Sequence, residues 1–107
     1  MTANADTQST FIFQRITIIG IGLIGSSVSR ALKSKAGLVQ EIIATDSDKD
    51  NLAKASDLGI VDTICDDINE AVSRSDCVIL CTPIGTYEEI VKQIASSLPA
   101  GCVLSDV

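Results

Sequence analysis

The sequence predicts an α/β fold in which one doubly wound parallel sheet lies between two layers of helices. Two observations favour this class. Short runs of β-branched and aliphatic residues alternate along the chain with segments whose apolar residues recur every three or four positions. In addition, 46% of the 107 residues are hydrophobic but only 3% are aromatic, and an aliphatic composition is typical of strands buried on both faces of a parallel sheet.

Five strands and four helical segments are predicted in alternation. The strands are expected at residues 15–20, 41–46, 61–65, 76–81 and 102–107, and the helical segments at residues 23–35, 48–58, 68–74 and 85–98. Ser47 is the expected N-cap of the second helix, and Thr86 with Glu89 fits a capping box in the fourth. Strands and helices in this order favour a parallel sheet with right-handed crossovers.

One domain is expected at residues 13–107, because a chain of 107 residues has the size of a single compact unit. Residues 1–12 are predicted to be a disordered leader, since the first ten residues are polar and lack the apolar segment of a secretory signal. The sequence stops inside a predicted apolar strand. We interpret this end as the point where a longer, two-domain protein continues.

The charge and the residue counts exclude several classes of function. The net charge is −6, and the eight basic residues are scattered, so we expect neither a nucleic-acid partner nor an anionic membrane surface. No apolar run approaches the roughly 18 residues that a membrane span needs, and a cytoplasmic protein is expected. The chain has no histidine, and its four cysteines form no CxxC pair, so no metal site is predicted.

Three glycines lie between the first predicted strand and the first helix, in the stretch IIGIGLIGSSVSRALK. Gly20, Gly22 and Gly25 match G-x-G-x-x-G, the pattern that binds the pyrophosphate of a dinucleotide in a Rossmann-type domain. The first glycine permits the tight turn, the second lets the backbone approach the pyrophosphate, and the third lets the helix pack closely on the sheet. The alternative is a tight strand-to-helix turn that binds nothing.

Asp46 supplies a second feature of a dinucleotide site. It ends the second predicted strand, 21 residues after Gly25, where a carboxylate accepts hydrogen bonds from the adenine ribose. The same charge repels a 2′-phosphate, so NAD is the predicted cofactor and NADP is less favoured, although Lys49 would weaken this exclusion. The alternative role for Asp46 is to cap the following helix.

Thr82 and Pro83 follow the fourth predicted strand, in the segment CTPIG. In a Rossmann-type sheet the carboxyl ends of the first and fourth strands flank the ligand crevice. Thr82 offers a hydroxyl there and Pro83 fixes the loop's φ angle, which suits the ribose–nicotinamide part of a cofactor site. The alternative is an ordinary loop. Ser105 and Asp106 are expected at the same rim, unless Asp106 is simply a solvated residue near the terminus.

Four segments together resemble the prephenate/arogenate (cyclohexadienyl) dehydrogenases of tyrosine biosynthesis: IIGIGLIGSSVSRALK, ATD, DCVILCTPIG and LSDV. The resemblance covers about residues 14–107 and implies the N-terminal NAD-binding domain of such an enzyme. The cofactor contacts that it implies are Gly20, Gly22, Leu23, Ile24, Gly25, Asp46, Ser47, Thr82, Pro83, Ser105 and Asp106.

The resemblance also implies a reaction, an oxidative decarboxylation in which a hydride passes from the substrate ring to nicotinamide. The substrate would be prephenate or arogenate, and the parent protein a homodimer. The catalytic histidine and the carboxylate-binding arginine of this family are expected beyond residue 107, so no catalytic residue is assigned and the chain alone is expected to be inactive. The alternatives are the cofactor domain of another NAD(P)-dependent dehydrogenase or reductase, and a regulatory nucleotide-sensing module.

Overall fold

The structure of the protein is a computed structural model that describes residues 11–107. The predicted leader falls almost wholly on residues 1–10, which lie outside the described residues. Strands β1–β5 are Phe13–Ile19, Val39–Thr45, Thr63–Ile64, Cys77–Leu80 and Val103–Asp106. Helices α1–α4 are Leu23–Lys33, Lys49–Asp57, Ile68–Val72 and Tyr87–Ile94, and a 3-10 turn at Ile84–Thr86 precedes α4.

The five strands form one sheet in the order β3-β2-β1-β4-β5, and every pair of neighbours is parallel. This confirms the predicted doubly wound sheet. The chain runs outward from β1 through β2 to β3 and then returns to the other side of β1 for β4 and β5. The strand order therefore reverses between β1 and β4, and at such a point the loops that leave neighbouring strands diverge and open a crevice at the carboxyl edge of the sheet.

Different helices cover the two faces of the sheet, which confirms the three layers. On one face, Ile18 belongs to a buried cluster with Leu52 of α2, and α1 packs against the same cluster. On the other face, Ile19 belongs to a cluster with Val72 of α3 and Ile94 of α4. Because successive side chains of a strand point to opposite faces, the neighbours Ile18 and Ile19 contribute to different cores.

The strands differ from their predicted bounds mainly at the amino edge of the sheet. β1 and β2 each begin two residues earlier than predicted, because pairing continues through polar residues, with Phe13 opposite Val39 and Arg15 opposite Glu41. Arg15 Nε donates to the Glu41 carboxylate over 3.1 Å, so these side chains satisfy each other without leaving the ladder. β3 has only two residues and pairs with β2 alone, as an edge strand.

Two predicted helix caps are wrong. The N-cap of α2 is Asp48 rather than Ser47, since two residues separate the end of β2 from the cap, and the Asp48 carboxylate accepts from the N–H groups of Asp50 and Asn51. The capping box of α4 is absent, because Thr86 already belongs to the 3-10 turn and has helical φ and ψ angles of −96° and −7°. Its side chain therefore makes no cap hydrogen bond to α4.

All four helices are shorter than predicted, because their ends pass into turns that the apolar periodicity does not distinguish from helix. The longest of them, α1, has 11 residues. Within residues 11–107, no helix combines the length and the apolar character that crossing a membrane would require.

Two buried hydroxyl groups join β1 to α3. The hydroxyl of Thr17, in the middle of β1, donates to the carbonyl of Ala71 over 2.9 Å and also contacts the hydroxyl of Ser75. Ser75 donates to the same carbonyl over 3.2 Å. Thr17 and Ser75 are both almost completely buried, so no water replaces these hydrogen bonds, and polar groups left without a partner there would be costly.

Replacing Thr17 with valine tests this junction, because valine keeps the shape of the side chain and removes the donor. We expect Thr17→Val to lower the free energy of unfolding by about 1–2 kcal/mol. Urea denaturation followed by circular dichroism measures this, as a lower midpoint with an unchanged slope. The control is Ser73→Ala, which removes an exposed hydroxyl from the end of α3 and should change the midpoint little. An unchanged midpoint for Thr17→Val would contradict the assignment.

Candidate functional site

A cleft of about 590 Å³ opens at the carboxyl edge of the sheet, in the region where the strand order reverses. Segments that follow β1, β2, β3 and β4 contribute to its walls, together with one face of α4. Its lining residues are Ile19, Gly20, Thr45, Asp46, Ser47, Asp66, Asp67, Ile68, Thr82, Ile90 and Gln93. The cleft therefore brings together four of the residues predicted from the sequence: Gly20, Asp46, Ser47 and Thr82.

The turn that leaves β1 requires glycine at position 20. Gly20 has a φ angle of +94°, a conformation that side chains other than hydrogen disfavour. A Cβ atom at this position would also lie 2.9 Å from Thr82 Cγ2 and 3.1 Å from the carbonyl of Cys81. The close approach places the turn after β1 directly against the segment after β4, so these two neighbouring segments are packed together at the cleft.

Gly25 lets α1 pack directly onto the same turn. A Cβ atom at Gly25 would lie only 2.0 Å from the carbonyl oxygen of Gly20, which is far inside van der Waals contact. Gly22 differs, since a Cβ atom there would have no other atom within 4 Å. The first and third glycines are thus required by the fold itself. The second lies against open space, where a ligand could approach the backbone.

Gly22 is also the N-cap of α1, and it has no side chain that could satisfy the first N–H groups of the helix. The first turn of α1 contains no acidic residue. The positive end of the helix dipole is therefore not neutralised locally and is available to an anionic group. Leu23 and Ile24, on this first turn, are 88% and 58% exposed, so both lie at the surface beside the glycine loop.

The Asp46 carboxylate joins the glycine loop to the loop that follows β2. Its Oδ2 atom accepts a hydrogen bond from the backbone N–H of Ile21 over 2.8 Å. Its Oδ1 atom accepts from the backbone N–H of Asp48 over 2.8 Å, and Asn51 Nδ2 lies 3.4 Å from Oδ2. Asp46 therefore fixes the conformation of two loops, and it does not cap α2 directly, because Asp48 does.

Thr82 and Pro83 form the start of the loop after β4. Thr82 lines the cleft, and its hydroxyl lies 2.8 Å from the hydroxyl of Thr86. Pro83, with a φ angle of −57°, precedes the 3-10 turn and is exposed. The exposed side chain of Ile84 follows it. The loop therefore presents one polar group to the cleft and apolar groups to the surface.

Ser105 and Asp106 do not contribute to the cleft wall. Both lie on β5, at the edge of the sheet, and are exposed. Asp106 lies near Tyr87 of α4 instead, where partial burial, together with the charges of Asp106 and Cys81, raises the pKa of the Tyr87 phenol. The rim predicted for these two residues is thus one strand away from the cleft, because β4 separates β5 from β1.

Several cleft residues were not predicted as site residues from the sequence. Asp66 and Asp67 follow the short β3, while Ile90 and Gln93 lie on α4. The spacing of three between Ile90 and Gln93 indicates a shared helix face. That spacing gives no sign that the face meets the cleft, which depends on how α4 crosses the sheet. The acidic residues among the lining set are Asp46, Asp66 and Asp67, and the set includes no basic residue.

Three cysteines near the sheet have thiols with a raised pKa, which favours the protonated form. Burial raises the pKa of the thiols of Cys77, Cys81 and Cys102, and the charges of Cys102 and Asp76 raise that of Cys77 further. A protonated thiol is a poor nucleophile and a poor metal ligand. In the part of the chain that the structure describes, no group of three or more histidine, cysteine or acidic residues is placed to hold a metal ion.

Comparison with known families shows which kind of domain this chain is. The family described as prephenate dehydrogenase, nucleotide-binding domain, matches residues 28–107. The chain belongs to this family. The match begins inside α1, after the three glycines, so membership does not depend on the glycine pattern. It confirms the resemblance noted in the sequence and favours a dehydrogenase domain over a nucleotide-sensing module.

Individual relatives agree with this assignment. Cyclohexadienyl dehydrogenase of Zymomonas mobilis is 33% identical over 97 residues, which cover 89% of this chain and 32% of that protein. Prephenate dehydrogenase of Lactococcus lactis is 37% identical over 95 residues, which cover 87% and 26%. The crystal structure of A. aeolicus prephenate dehydrogenase with hydroxyphenyl propionate and NAD+ has a TM-score of 0.78 at 28% identity, covering 87% and 32%. The chain thus spans about a third or less of the length of these relatives.

The glycines at positions 22 and 25 should respond differently to the same substitution. We expect Gly25→Ala to lower the free energy of unfolding by about 3 kcal/mol or more, because the new methyl group would overlap the Gly20 carbonyl. Gly22→Ala should change it by less than about 1 kcal/mol, since the space there is open. Parallel urea titrations measure both values. Equal destabilisation by the two variants would contradict the packing described for α1.

Proposed function

We propose that this chain is the NAD-binding domain of a prephenate or arogenate dehydrogenase. In that enzyme it would hold the cofactor that receives a hydride as the substrate ring is oxidised and decarboxylated. The observation that carries the proposal is the hydrogen bond between the Asp46 carboxylate and the Ile21 N–H. It places an acid suited to ribose recognition beside an uncapped helix N-terminus suited to a pyrophosphate.

The pyrophosphate would lie against Gly22 and the first N–H groups of α1. The open space at Gly22 supports this placement, because the backbone and a diphosphate can approach each other closely only where no Cβ atom intervenes. The helix N-terminus offsets the repulsion that the acidic cleft residues exert on an anion. Leu23 and Ile24 would flank the pyrophosphate on the first turn of α1.

The adenine ribose would bind Asp46, which keeps some acceptor capacity in spite of its protein partners. A carboxylate offers about four lone-pair sites, and the N–H groups of Ile21, Asp48 and Asn51 occupy three of them. One site remains on Oδ1 for a ribose hydroxyl. Ser47, the next residue in the cleft wall, has a hydroxyl group that could also bond to the ribose. The apolar side chains of Ile68 and Ile90 suit the adenine ring.

The nicotinamide half of the cofactor would extend toward Thr82 and Pro83. This direction follows from the strand order, because the segment after β4 forms the opposite wall of the crevice from the loop after β2. Ser105 and Asp106 lie farther along the same edge of the sheet, and we retain them only as a second border of this half. NAD is preferred over NADP, since a 2′-phosphate would meet Asp46 in a wall with no basic residue.

The chemical step would use groups outside residues 1–107. The chain contains no histidine, and we assign it no catalytic residue. Its contribution is to bind and orient the dinucleotide so that the nicotinamide faces the substrate. Prephenate and arogenate remain equal candidates, because nothing in the cleft distinguishes them. The homodimeric parent, the cytoplasmic location and the lack of a nucleic-acid or membrane partner also stay predictions.

Isothermal titration calorimetry with NAD+ and NADP+ tests the role of Asp46. We expect the unaltered chain to bind NAD+ more tightly than NADP+. Asp46→Asn should raise the Kd for NAD+ about tenfold or more, because a charged acceptor is lost, and should weaken NADP+ binding less. The amide carbonyl of the substituted side chain would still accept from Ile21. Asp57→Asn removes an exposed acid from the end of α2 and serves as the control. Equal or tighter binding of NADP+ by the unaltered chain would refute the preference.

The role of Gly22 has a separate test. Gly22→Ala should raise the Kd for NAD+ about tenfold or more, since the methyl group would occupy the space proposed for the pyrophosphate. Gly85→Ala is the matched control: a Cβ atom there also has no other atom within 4 Å, and Gly85 is not a lining residue of the cleft. It should bind NAD+ as the unaltered chain does. A Gly22→Ala variant with full affinity would contradict the proposed position of the pyrophosphate.

A further inference from the structure

The hydroxyl group of Thr86 makes a contact that the proposed cofactor site does not yet explain. Thr86 is not a lining residue of the cleft, and it does not cap α4. Its Oγ1 atom lies 2.8 Å from Thr82 Oγ1, on the cleft wall, and 2.7 Å from the carbonyl oxygen of Pro83. The backbone N–H of Thr86 donates to the same Pro83 carbonyl over 2.9 Å. The 3-10 turn thus holds this hydroxyl directly behind Thr82.

The Thr86 hydroxyl is the donor in both of these side-chain hydrogen bonds. A threonine hydroxyl has one proton to donate and two lone pairs to accept. The single Thr86 proton is shared between two acceptors, the Pro83 carbonyl oxygen and Thr82 Oγ1. Thr82 accepts on one lone pair, so its own proton is not used in this contact. The Thr82 hydroxyl therefore still has a proton to offer a ligand.

The methyl group of Thr82 is held as well. It is the nearest neighbour of the position that a Cβ atom would take at Gly20, at 2.9 Å, so the methyl packs against the turn after β1. The hydroxyl is bonded to Thr86 on its other side. A threonine has three staggered χ1 rotamers. Only a rotamer that keeps both contacts is compatible with this arrangement. Removing either contact would allow Thr82 to adopt the other two rotamers.

We infer that Thr86 is a positioning residue for the cofactor: it holds Thr82 in one rotamer and leaves the Thr82 hydroxyl proton free to donate to an acceptor oxygen of the dinucleotide. The inference rests on the proposed function, because it assumes that Thr82 contacts the cofactor. It goes beyond that proposal by assigning a role to a residue outside the cleft wall and a polarity to the group inside it.

Nuclear magnetic resonance tests the rotamer without any cofactor. The three-bond coupling between Hα and Hβ of Thr82 reports whether χ1 occupies one staggered state or several. We expect one state in the unaltered chain and averaging in Thr86→Val, which keeps the branched shape and lacks the hydroxyl. Thr86→Ser restores the hydroxyl and should restore the single state. A single state in Thr86→Val would overturn the inference, whatever the chain binds.

Calorimetry with NAD+ tests the consequence for binding. Thr86→Val should raise the Kd about fivefold, the effect expected from one weakened hydrogen bond, and Thr86→Ser should recover most of the affinity. Thr63→Val is the matched control. It removes from β3 a hydroxyl that donates to the Glu41 carboxylate of β2, away from the cleft, and should leave the Kd for NAD+ unchanged. Thermal unfolding of each variant separates a loss of binding from a loss of folded protein.

A double-mutant cycle shows whether Thr86 acts through Thr82. If it does, Thr82→Val combined with Thr86→Val should bind NAD+ no more weakly than Thr82→Val alone. Losses that multiply would overturn the inference, because Thr86 would then act independently of Thr82. Failure of the unaltered chain to bind NAD+ would instead refute the proposed function, and the coupling constants of the free chain would still decide the role of Thr86.

Discussion

The contact on which the rest of the site depends is the approach of α1 to the turn after β1. A Cβ atom at Gly25 would lie 2.0 Å from the Gly20 carbonyl oxygen, so the helix reaches this position only because residue 25 lacks a side chain. The helix begins at Leu23, three residues after Gly20, a cleft residue, and its N-terminus has no side-chain cap. An anion-binding geometry therefore arises from a steric requirement of the fold, and it is present before any ligand arrives.

The Asp46 carboxylate extends this arrangement to β2. It accepts backbone hydrogen bonds from Ile21 and Asp48, so it stabilises the glycine loop and the entry to α2 at the same time. The residue that would recognise a ribose is thus also a structural element of the loop, and it would hold the proposed sugar and phosphate subsites at a fixed distance. Thr82 closes the opposite wall by packing its methyl group against Gly20. The segments that follow β2 and β4 therefore both contact the turn that follows β1.

The alternation of strand-like and helix-like segments predicted the parallel sheet and the three layers, because a strand buried on both faces has a composition that few other elements share. Bounds and caps were predicted less well. The pairing of Arg15 with Glu41 extends the strands through polar residues, which no hydrophobic pattern marks. The N-cap of α2 is Asp48, whereas Ser47 was predicted. Both residue types favour this position, and only the length of the preceding loop selects one of them.

The sequence by itself determined the class of fold, the family and the local chemistry of the glycine loop. The spacing of Gly20, Gly22 and Gly25 is informative because each position of this pattern has its own steric reason to lack a side chain. Tertiary structure decided which residues share the cleft. It brought Asp66 and Ile90 to the wall and left Asp106 one strand away, because these positions depend on how the strands are ordered and where each helix crosses them. Short-range patterns describe neighbours along the chain, whereas a cleft at the edge of a sheet is built from residues that are neighbours only after the sheet has formed.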